Sequence, residues 1–334
     1  MKAAIFEKPG IENLKIRHDV ELPKITDHDV LIRVEMAGVN PIDHITVSGT
    51  REIKPLPHIP GAETSGVVEE CGQHVKSLKK GDRVIVYNIV FDGICDMCMS
   101  GNEMLCRNGG LLSLVSNGGF AEYIAVPEKN AFKIPDDMKW ELAASIPITT
   151  LTPYHALKQA ALKINEFLVI FGASGNTGMM ATQFGKKMGA KVIAVSKQNW
   201  IKDFGADYII SEYDRVAEKV KDLTQGKMAD VVLNSLGIQT WENSFASVGL
   251  NGRWVTFGGL TGAEVKLNVQ SLYSKQIKLI GCNGGTRKEM TEVIDMSKEL
   301  KTRVWKKFTL DEAKDALEAL FAKEREGRIL LNVS

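Results

Sequence analysis

The chain has 334 residues, enough for about two domains of ~150 residues each. It is 44% hydrophobic and 25% charged with a formal net charge of +1. It can therefore bury a large core but offers no strongly basic or acidic face, which removes nucleic acid and anionic membrane as default partners.

The first residues, MKAAIFEKPG, reach Glu7 and Lys8 before any long apolar run, so no secretory signal is expected. No stretch approaches ~18 consecutive apolar residues, so no membrane span is expected and the chain reads as cytoplasmic. Its five cysteines should then stay mostly reduced. The first ~130 residues give short strands between Gly and Pro turn signals: KAAIF, DVLIRVEMAGVN, SGVVEECG, DRVIVYN and FAEYIAVP. This is the pattern of a β-rich, barrel-like domain.

Within that region DGICDMCMSGNEMLC, residues 92–106, holds three of the five cysteines. A disulfide staple, a redox Cys-x2-Cys pair, a structural metal site and a catalytic one are all compatible with the residues alone. Cys71 and Cys282 read as small buried hydrophobes.

From about residue 150 the rhythm changes. KINEFLVIFGASGNTG gives strand, glycine turn and helix start; MMATQFGKKMGA is helix and KVIAVS strand. VAEKVKDLTQ is helix, ADVVLNSLG strand, WENSFASVG helix, and GRWVTFGG and KQIKLIGC are strands. Strand alternating with helix predicts a doubly wound parallel sheet. In the tail, Phe308, Thr309 and Glu312 form a capping-box signature with a staple, the helix stops at Gly327, and RILLNV is a closing strand. The expected domains are 1–149 with 284–334, and 150–283.

The turn FGASGNTG carries Ala173, Ser174, Gly175, Asn176, Thr177 and Gly178. It is a variant of the phosphate-binding turn, whose glycines let backbone approach a pyrophosphate at a helix N-terminus; a tight turn with no ligand is the other reading. The apolar strand before it and the helix after it supply the required context. At the end of the next strand an NAD site needs Asp or Glu for the ribose 2′-OH, whereas this chain has Ser196 and Lys197. With no carboxylate to repel a 2′-phosphate and a cation beside it, NADP is favoured; the other reading of Lys197 is a solvated surface lysine. Asn234 and Gly258 follow apolar strands, where such sheets receive ligands. Arg287 either reaches an anionic substrate or phosphate or faces solvent.

The stretches AGVNPID (37–43), PGAETSGVVEECG (60–72), LKKGDRV (78–84), GGFAEY (118–123) and TPYHAL (152–157), with the cysteine segment and the glycine turn, resemble the medium-chain dehydrogenase/reductase family along nearly the whole chain. The resemblance implies an α/β chain: a GroES-like β-rich domain plus a Rossmann domain, with an active site in the cleft between them. It implies homodimers or homotetramers and a small-molecule substrate. It also implies that Thr152 and Tyr154 line the cofactor cleft, core packing being the other reading of Tyr154.

Family members with a structural metal lobe carry Cys-x2-Cys-x2-Cys-x7-Cys; the same spacing here runs Asp92, Cys95, Cys98, Cys106. Zinc accepts carboxylate oxygen as well as thiolate, so one structural zinc per chain is expected. A redox pair and a lobe that has lost its metal are the alternatives. Zinc-dependent relatives place catalytic ligands at positions that correspond to Asn40, Ala62 and Ile148. Ala62 and Ile148 have no side-chain lone pair, and Glu63 alone cannot hold an ion, so no catalytic zinc is expected.

Without such a metal, hydride should go to acceptors that spread the incoming charge, a quinone or an α,β-unsaturated carbonyl. GVNPIDH resembles the zinc-free quinone oxidoreductase branch of the family. Asn40 is the first candidate for the reaction site, a turn residue before Pro41 being its other reading. Asp43 is the candidate for orienting the loop by accepting backbone hydrogen bonds, and His44 for supplying a proton, a satisfied or solvated side chain being its other reading. The function expected is an NADPH-dependent reductase of an electrophilic small molecule. The alternatives are an alcohol dehydrogenase with a reconfigured metal site and a non-catalytic NADPH-binding protein.

Overall fold

The computed structural model describes residues 1–51 and 53–334. The chain forms two compact units, Met1–Ile148 with Thr286–Ser334, and Thr149–Gly285.

The first unit is built on a seven-stranded sheet. Its central strand, Asp29–Gly38, pairs antiparallel with Glu63–Cys71, Tyr123–Pro127 and Arg328–Asn332. Ten residues long, that strand sends Val30, Ile32 and Val34 into the core, where Phe6, Phe120, Leu317, Ile329 and Leu331 meet them. Alternation along a half-buried strand produces this one-sided burial. The closing strand Arg328–Asn332 also takes Val304–Thr309 as a parallel neighbour. Thr309 and Glu312 close a capping box, with the Thr309 N–H and hydroxyl both donating to Glu312 Oε2 at 2.8 Å.

A short ladder, Ile89–Val90 against Gly110–Leu111, carries residues 91–109 as a lobe. Asn40 opens a helix, Pro41–Ser48, with Pro at its start and Gly49 in left-handed conformation (φ 80°) at its end.

The second unit holds a parallel sheet of six strands. In spatial order they are Tyr208–Ile210, Lys191–Val195, Phe167–Phe171, Ala229–Asn234, Val248–Thr256 and Lys278–Gly281. In chain order this is third, second, first, fourth, fifth, sixth, the doubly wound arrangement whose ligand crevice opens where the order reverses. That point lies between Phe167–Phe171 and Ala229–Asn234. Val169, Ile193 and Val232 are fully buried, as strands covered on both faces require.

Among the described residues no helix is long and apolar enough to cross a membrane. All five cysteines are free thiols. Cys71 and Cys282 are half-buried rather than buried, and the Cys71 thiol faces the Leu78 carbonyl oxygen at 3.7 Å.

Candidate functional site

In the parallel-sheet unit the turn after Phe171 leads directly into the twelve-residue helix Asn176–Lys187. Gly172 has φ 71°, and a Cβ on Gly178 would drive into the Gly172 carbonyl oxygen and lie 2.8 Å from Ala173 Cα. The helix can therefore start close against the strand only because position 178 has no side chain. No acidic residue occupies the first turn of the helix, and Lys186 and Lys187 sit in its last turn, so the positive end of the dipole stays uncompensated at the glycine turn.

Ser196, at the end of Lys191–Val195, is buried, and its hydroxyl accepts from the Gln198 N–H at 3.0 Å; Lys197 is exposed. Asn234 is held by structure: its amide donates to Ser244 Oγ (2.9 Å), while its oxygen accepts from the Leu236 N–H (2.9 Å) and Thr240 hydroxyl (3.1 Å). Gly258 is exposed, and its carbonyl accepts from the Thr256 hydroxyl at 2.9 Å. Thr152 is buried in the helix Leu151–Gln159, and Tyr154 packs its ring on Phe184 at 4.9 Å between centroids. The packing reading of Tyr154 thus has a partner in the fold.

In the β-rich unit the three positions compared with metal ligands converge on two buried carboxylates. The Asn40 amide donates to Glu63 Oε2 (2.8 Å) and the Ile148 N–H to Glu63 Oε1 (2.8 Å). The Ala62 N–H donates to Asp43 Oδ1 (2.9 Å) and the Asn40 N–H to Asp43 Oδ2 (2.8 Å). The cation facing them is Arg328, wholly buried. It donates to Glu63 Oε2 at 2.6 Å, to Asn40 Oδ1 at 2.9 Å, and to Ser145 Oγ and the Ala144 carbonyl at 3.3 Å. A Cβ on Gly38 would collide with the Arg328 guanidinium and Glu63, so glycine there makes room for the pair.

Sequence reasoning missed Arg328. The available signal was a cation opening an otherwise apolar strand. Arg287 is half-buried rather than solvent-facing: it donates to the Lys129 carbonyl at 3.1 Å, with its guanidinium 5.4 Å from the Phe132 ring centroid and 5.7 Å from that of Phe91. His44 sits half-buried on the helix Pro41–Ser48, edge-on to Phe321 with ring centroids 4.8 Å apart, and burial lowers its pKa.

Burial pushes the Asp43 carboxyl up to about 7, against the pull of N–H bonds from Ala62 and Asn40; Glu63 adds repulsion and Arg328 offsets it. Its folded pKa thus stands above the ordinary 3.8, and the folded chain holds an extra proton between those values. Asp43's contribution to stability should fall as pH rises toward about 7 and stay level above it. Urea unfolding of wild type and Asp43→Asn between pH 5 and about 8.5 checks this. The stability difference should move against wild type up to pH 7; a pH-independent difference would refute the assignment.

In the lobe, one ligand atom each from Asp92, Cys95, Cys98 and Cys106 lies within 4.8 Å of the others. Cys95 Sγ and Cys106 Sγ are 3.9 Å apart. That is close to the edge, about 3.8 Å, of a tetrahedron with ~2.3 Å from centre to sulfur, so the donor set fits zinc. Burial pushes the Cys98 thiol up to about 12, whereas N–H groups of Arg107 and Cys98 hold Cys95 below its usual value. Among the described residues this is the one group of three or more such donors close enough to share an ion.

The description "alcohol dehydrogenase GroES-like domain" matches residues 26–136, and "zinc-binding dehydrogenase" matches residues 177–299. An alcohol dehydrogenase of Geobacillus stearothermophilus is 34% identical over the whole of both chains. The chain belongs to the medium-chain dehydrogenase/reductase family. It is an oxidoreductase of that family. A thermostable alcohol dehydrogenase from Pyrobaculum aerophilum superposes with TM-score 0.93 at 38% identity, covering 100% of this chain and 99% of its own. Human quinone oxidoreductase is 28% identical over 83% of this chain and 78% of its own.

Proposed function

We propose that this medium-chain oxidoreductase uses NADPH to reduce a quinone or an α,β-unsaturated carbonyl without a catalytic metal, and that its lobe holds one structural zinc. The observation that carries the reading is the use made of positions 40, 62 and 148. Each donates a hydrogen bond to Glu63 or Asp43, and the balancing positive charge is the Arg328 guanidinium. A centre so arranged has its own internal cation.

NADPH, when bound, supplies a hydride. A quinone or enone acceptor then spreads the arriving charge into a phenolate or enolate, for which hydrogen-bond donors suffice. In this reading residues 173–178 cradle the pyrophosphate and Ser196 and Lys197 accept the 2′-phosphate. Asn40 and Asp43 set the start of the helix Pro41–Ser48, and His44 on that helix delivers the proton. Asp92, Cys95, Cys98 and Cys106 hold the zinc, and the chain works as a homodimer or homotetramer.

The second reading is alcohol oxidation, favoured by the alcohol dehydrogenase names of the relatives compared above. One experiment separates them: NADPH and NADH oxidation with quinones, enals and enones, beside NADP+ and NAD+ reduction with alcohols, before and after chelation. Quinone or enone turnover that survives chelation is expected, with NADPH bound at least about tenfold tighter than NADH. Alcohol turnover abolished by chelation and restored by zinc would overturn the proposal, and equal dissociation constants would overturn its cofactor assignment.

A further inference from the structure

The fourth donor of the lobe does two jobs. Asp92 Oδ1 accepts from the N–H groups of Ile94 (2.8 Å) and Cys95 (3.0 Å), which builds the turn that delivers Cys95. Its other oxygen, Oδ2, accepts from the Asn108 amide at 2.7 Å, tying the start of the lobe to the residue two places beyond Cys106. The Asp92 N–H in turn points at Cys106 Sγ, 3.3 Å away. A thiolate at the Asp92 position would offer one weakly accepting sulfur in place of two charged oxygens, so the turn and the tie to Asn108 could not be held by separate atoms.

Further contacts that involve no ligand atom brace the same loop. Arg107 closes a two-pronged pair on Asp96, at 2.5 and 2.7 Å. Lys129 donates to the carbonyls of Phe91 (2.7 Å) and Asp92 (3.1 Å) while lying 4.3 Å from the centroid of the Phe91 ring. Met104, within the loop, is buried, and the ladder Ile89–Val90 with Gly110–Leu111 fixes the loop's two ends. The exposed Arg107–Asp96 pair contributes little by itself. The bonds from backbone N–H groups to a charged oxygen are the stronger kind.

We propose that Asp92 is a clasp as well as a ligand, so that the lobe is a preformed site which keeps its fold when its ion leaves and exchanges that ion while folded. This rests on the reading of the lobe as a zinc site. In small zinc domains the ligands gather only around the metal, so binding energy is folding energy and chelators denature them. Here the donors are gathered by Asp92, Asn108 and Lys129, and removing the ion leaves those bonds in place. The three thiolates select thiophilic divalent ions, Zn²⁺ or Co²⁺. Asn108 plays the outer part, orienting a ligating carboxylate by a hydrogen bond.

The test uses the full chain, stripped by a chelator under reducing conditions, in four forms: wild type, Asp92→Asn, Asp92→Ala and Asp92→Cys. Amide exchange of residues 91–109 reads the clasp, and the cobalt–thiolate absorption band on adding Co²⁺ reads the site. Stripped wild type should protect the Ile94 and Cys95 amides nearly as well as the zinc-loaded chain. Asp92→Ala and Asp92→Cys, when stripped, should exchange there at least about tenfold faster. Asp92→Asn, which keeps an acceptor for the turn, should retain the protection while binding cobalt more weakly. Asp92→Cys should bind cobalt well although its stripped loop is open. A wild-type cobalt band together with a stripped loop as open as that of Asp92→Ala overturns the clasp alone. Absence of the band in wild type overturns the metal reading and the exchange that rests on it.

Discussion

Replacing Arg328 by methionine is expected to destabilise the β-rich unit by about 3–5 kcal/mol, the usual cost of removing one partner from a buried ion pair. Arg328 and Glu63 are both wholly buried, with Nη2 and Oε2 2.6 Å apart. Methionine fills part of the volume but leaves the Glu63 carboxylate in the interior without the guanidinium. Amide exchange at Leu330 and Leu331, on the strand that Arg328 opens, reads the loss locally, and calorimetry reads it for the whole chain.

Most of that cost is the stranded charge rather than the intrinsic worth of the pair, and a second substitution separates the two. Glu63→Gln in the Arg328→Met background removes the charge and keeps an acceptor for the Ile148 N–H. Its new NH2 replaces the oxygen that accepted from the Asn40 amide, so the Asn40 side chain, released from Arg328, has to turn over to present its oxygen. The double variant should recover about 2 kcal/mol relative to Arg328→Met alone. Strict additivity of the two substitutions would mean that the pair is not coupled, and a loss under about 1 kcal/mol for Arg328→Met would mean that its burial matters little. The same experiment bears on the proposed chemistry, because Arg328 is the cation of a centre in which Asn40, Ala62 and Ile148 all point at carboxylates.

What the sequence disclosed about this molecule follows how local each determinant is. The parallel sheet was legible because strands such as Phe167–Phe171 and Lys191–Val195 are apolar on both faces and sit between helical patterns. The capping box at Thr309 and Glu312 needs only three residues of spacing. The helix Pro41–Ser48 escaped although its signals were present: Asn40 to start, Pro41 in the first turn, Asp43 three residues after the start, Gly49 to stop. The same residues read equally well as a reaction-site motif, and that reading masks the helix.

Arg328 was illegible for a different reason. Its partners, Asn40, Glu63 and Ser145, lie 288, 265 and 183 residues away in the chain. A cation at the edge of RILLNV reads as a solvated strand end until tertiary pairing is known. Arg287 repeats the lesson, since its partner Lys129 is 158 residues distant. Spacing located the lobe's four donors, but nothing in the spacing foretells that one oxygen of Asp92 builds the turn of Ile94 and Cys95.

Gly178→Ala is expected to weaken NADPH binding by at least about a hundredfold, or ~2.7 kcal/mol, because it strikes the close contact between the start of the helix and the backbone of the turn. The added Cβ would run into the Gly172 carbonyl oxygen and two backbone atoms of Ala173, each 2.8 Å away. None is the movable tip of a side chain, so the helix Asn176–Lys187 has to back away from Phe167–Phe171, carrying its N–H groups from the proposed phosphate position. Overpacking of this kind also costs about 1–3 kcal/mol of stability.

Two other glycines grade the prediction. Gly175 has φ −71°, which alanine adopts freely, and its added Cβ would lie 3.1 Å from the Gly172 oxygen, a contact relieved by a few tenths of an ångström. Gly281, at the end of Lys278–Gly281, has open space around an added Cβ. Isothermal titration with NADPH should therefore rank the losses Gly178→Ala, then Gly175→Ala at about tenfold or less, then Gly281→Ala near zero. If Gly178→Ala binds as well as Gly281→Ala, the turn at residues 173–178 is not the pyrophosphate cradle, and the cofactor must be held by some other part of the sheet's crevice.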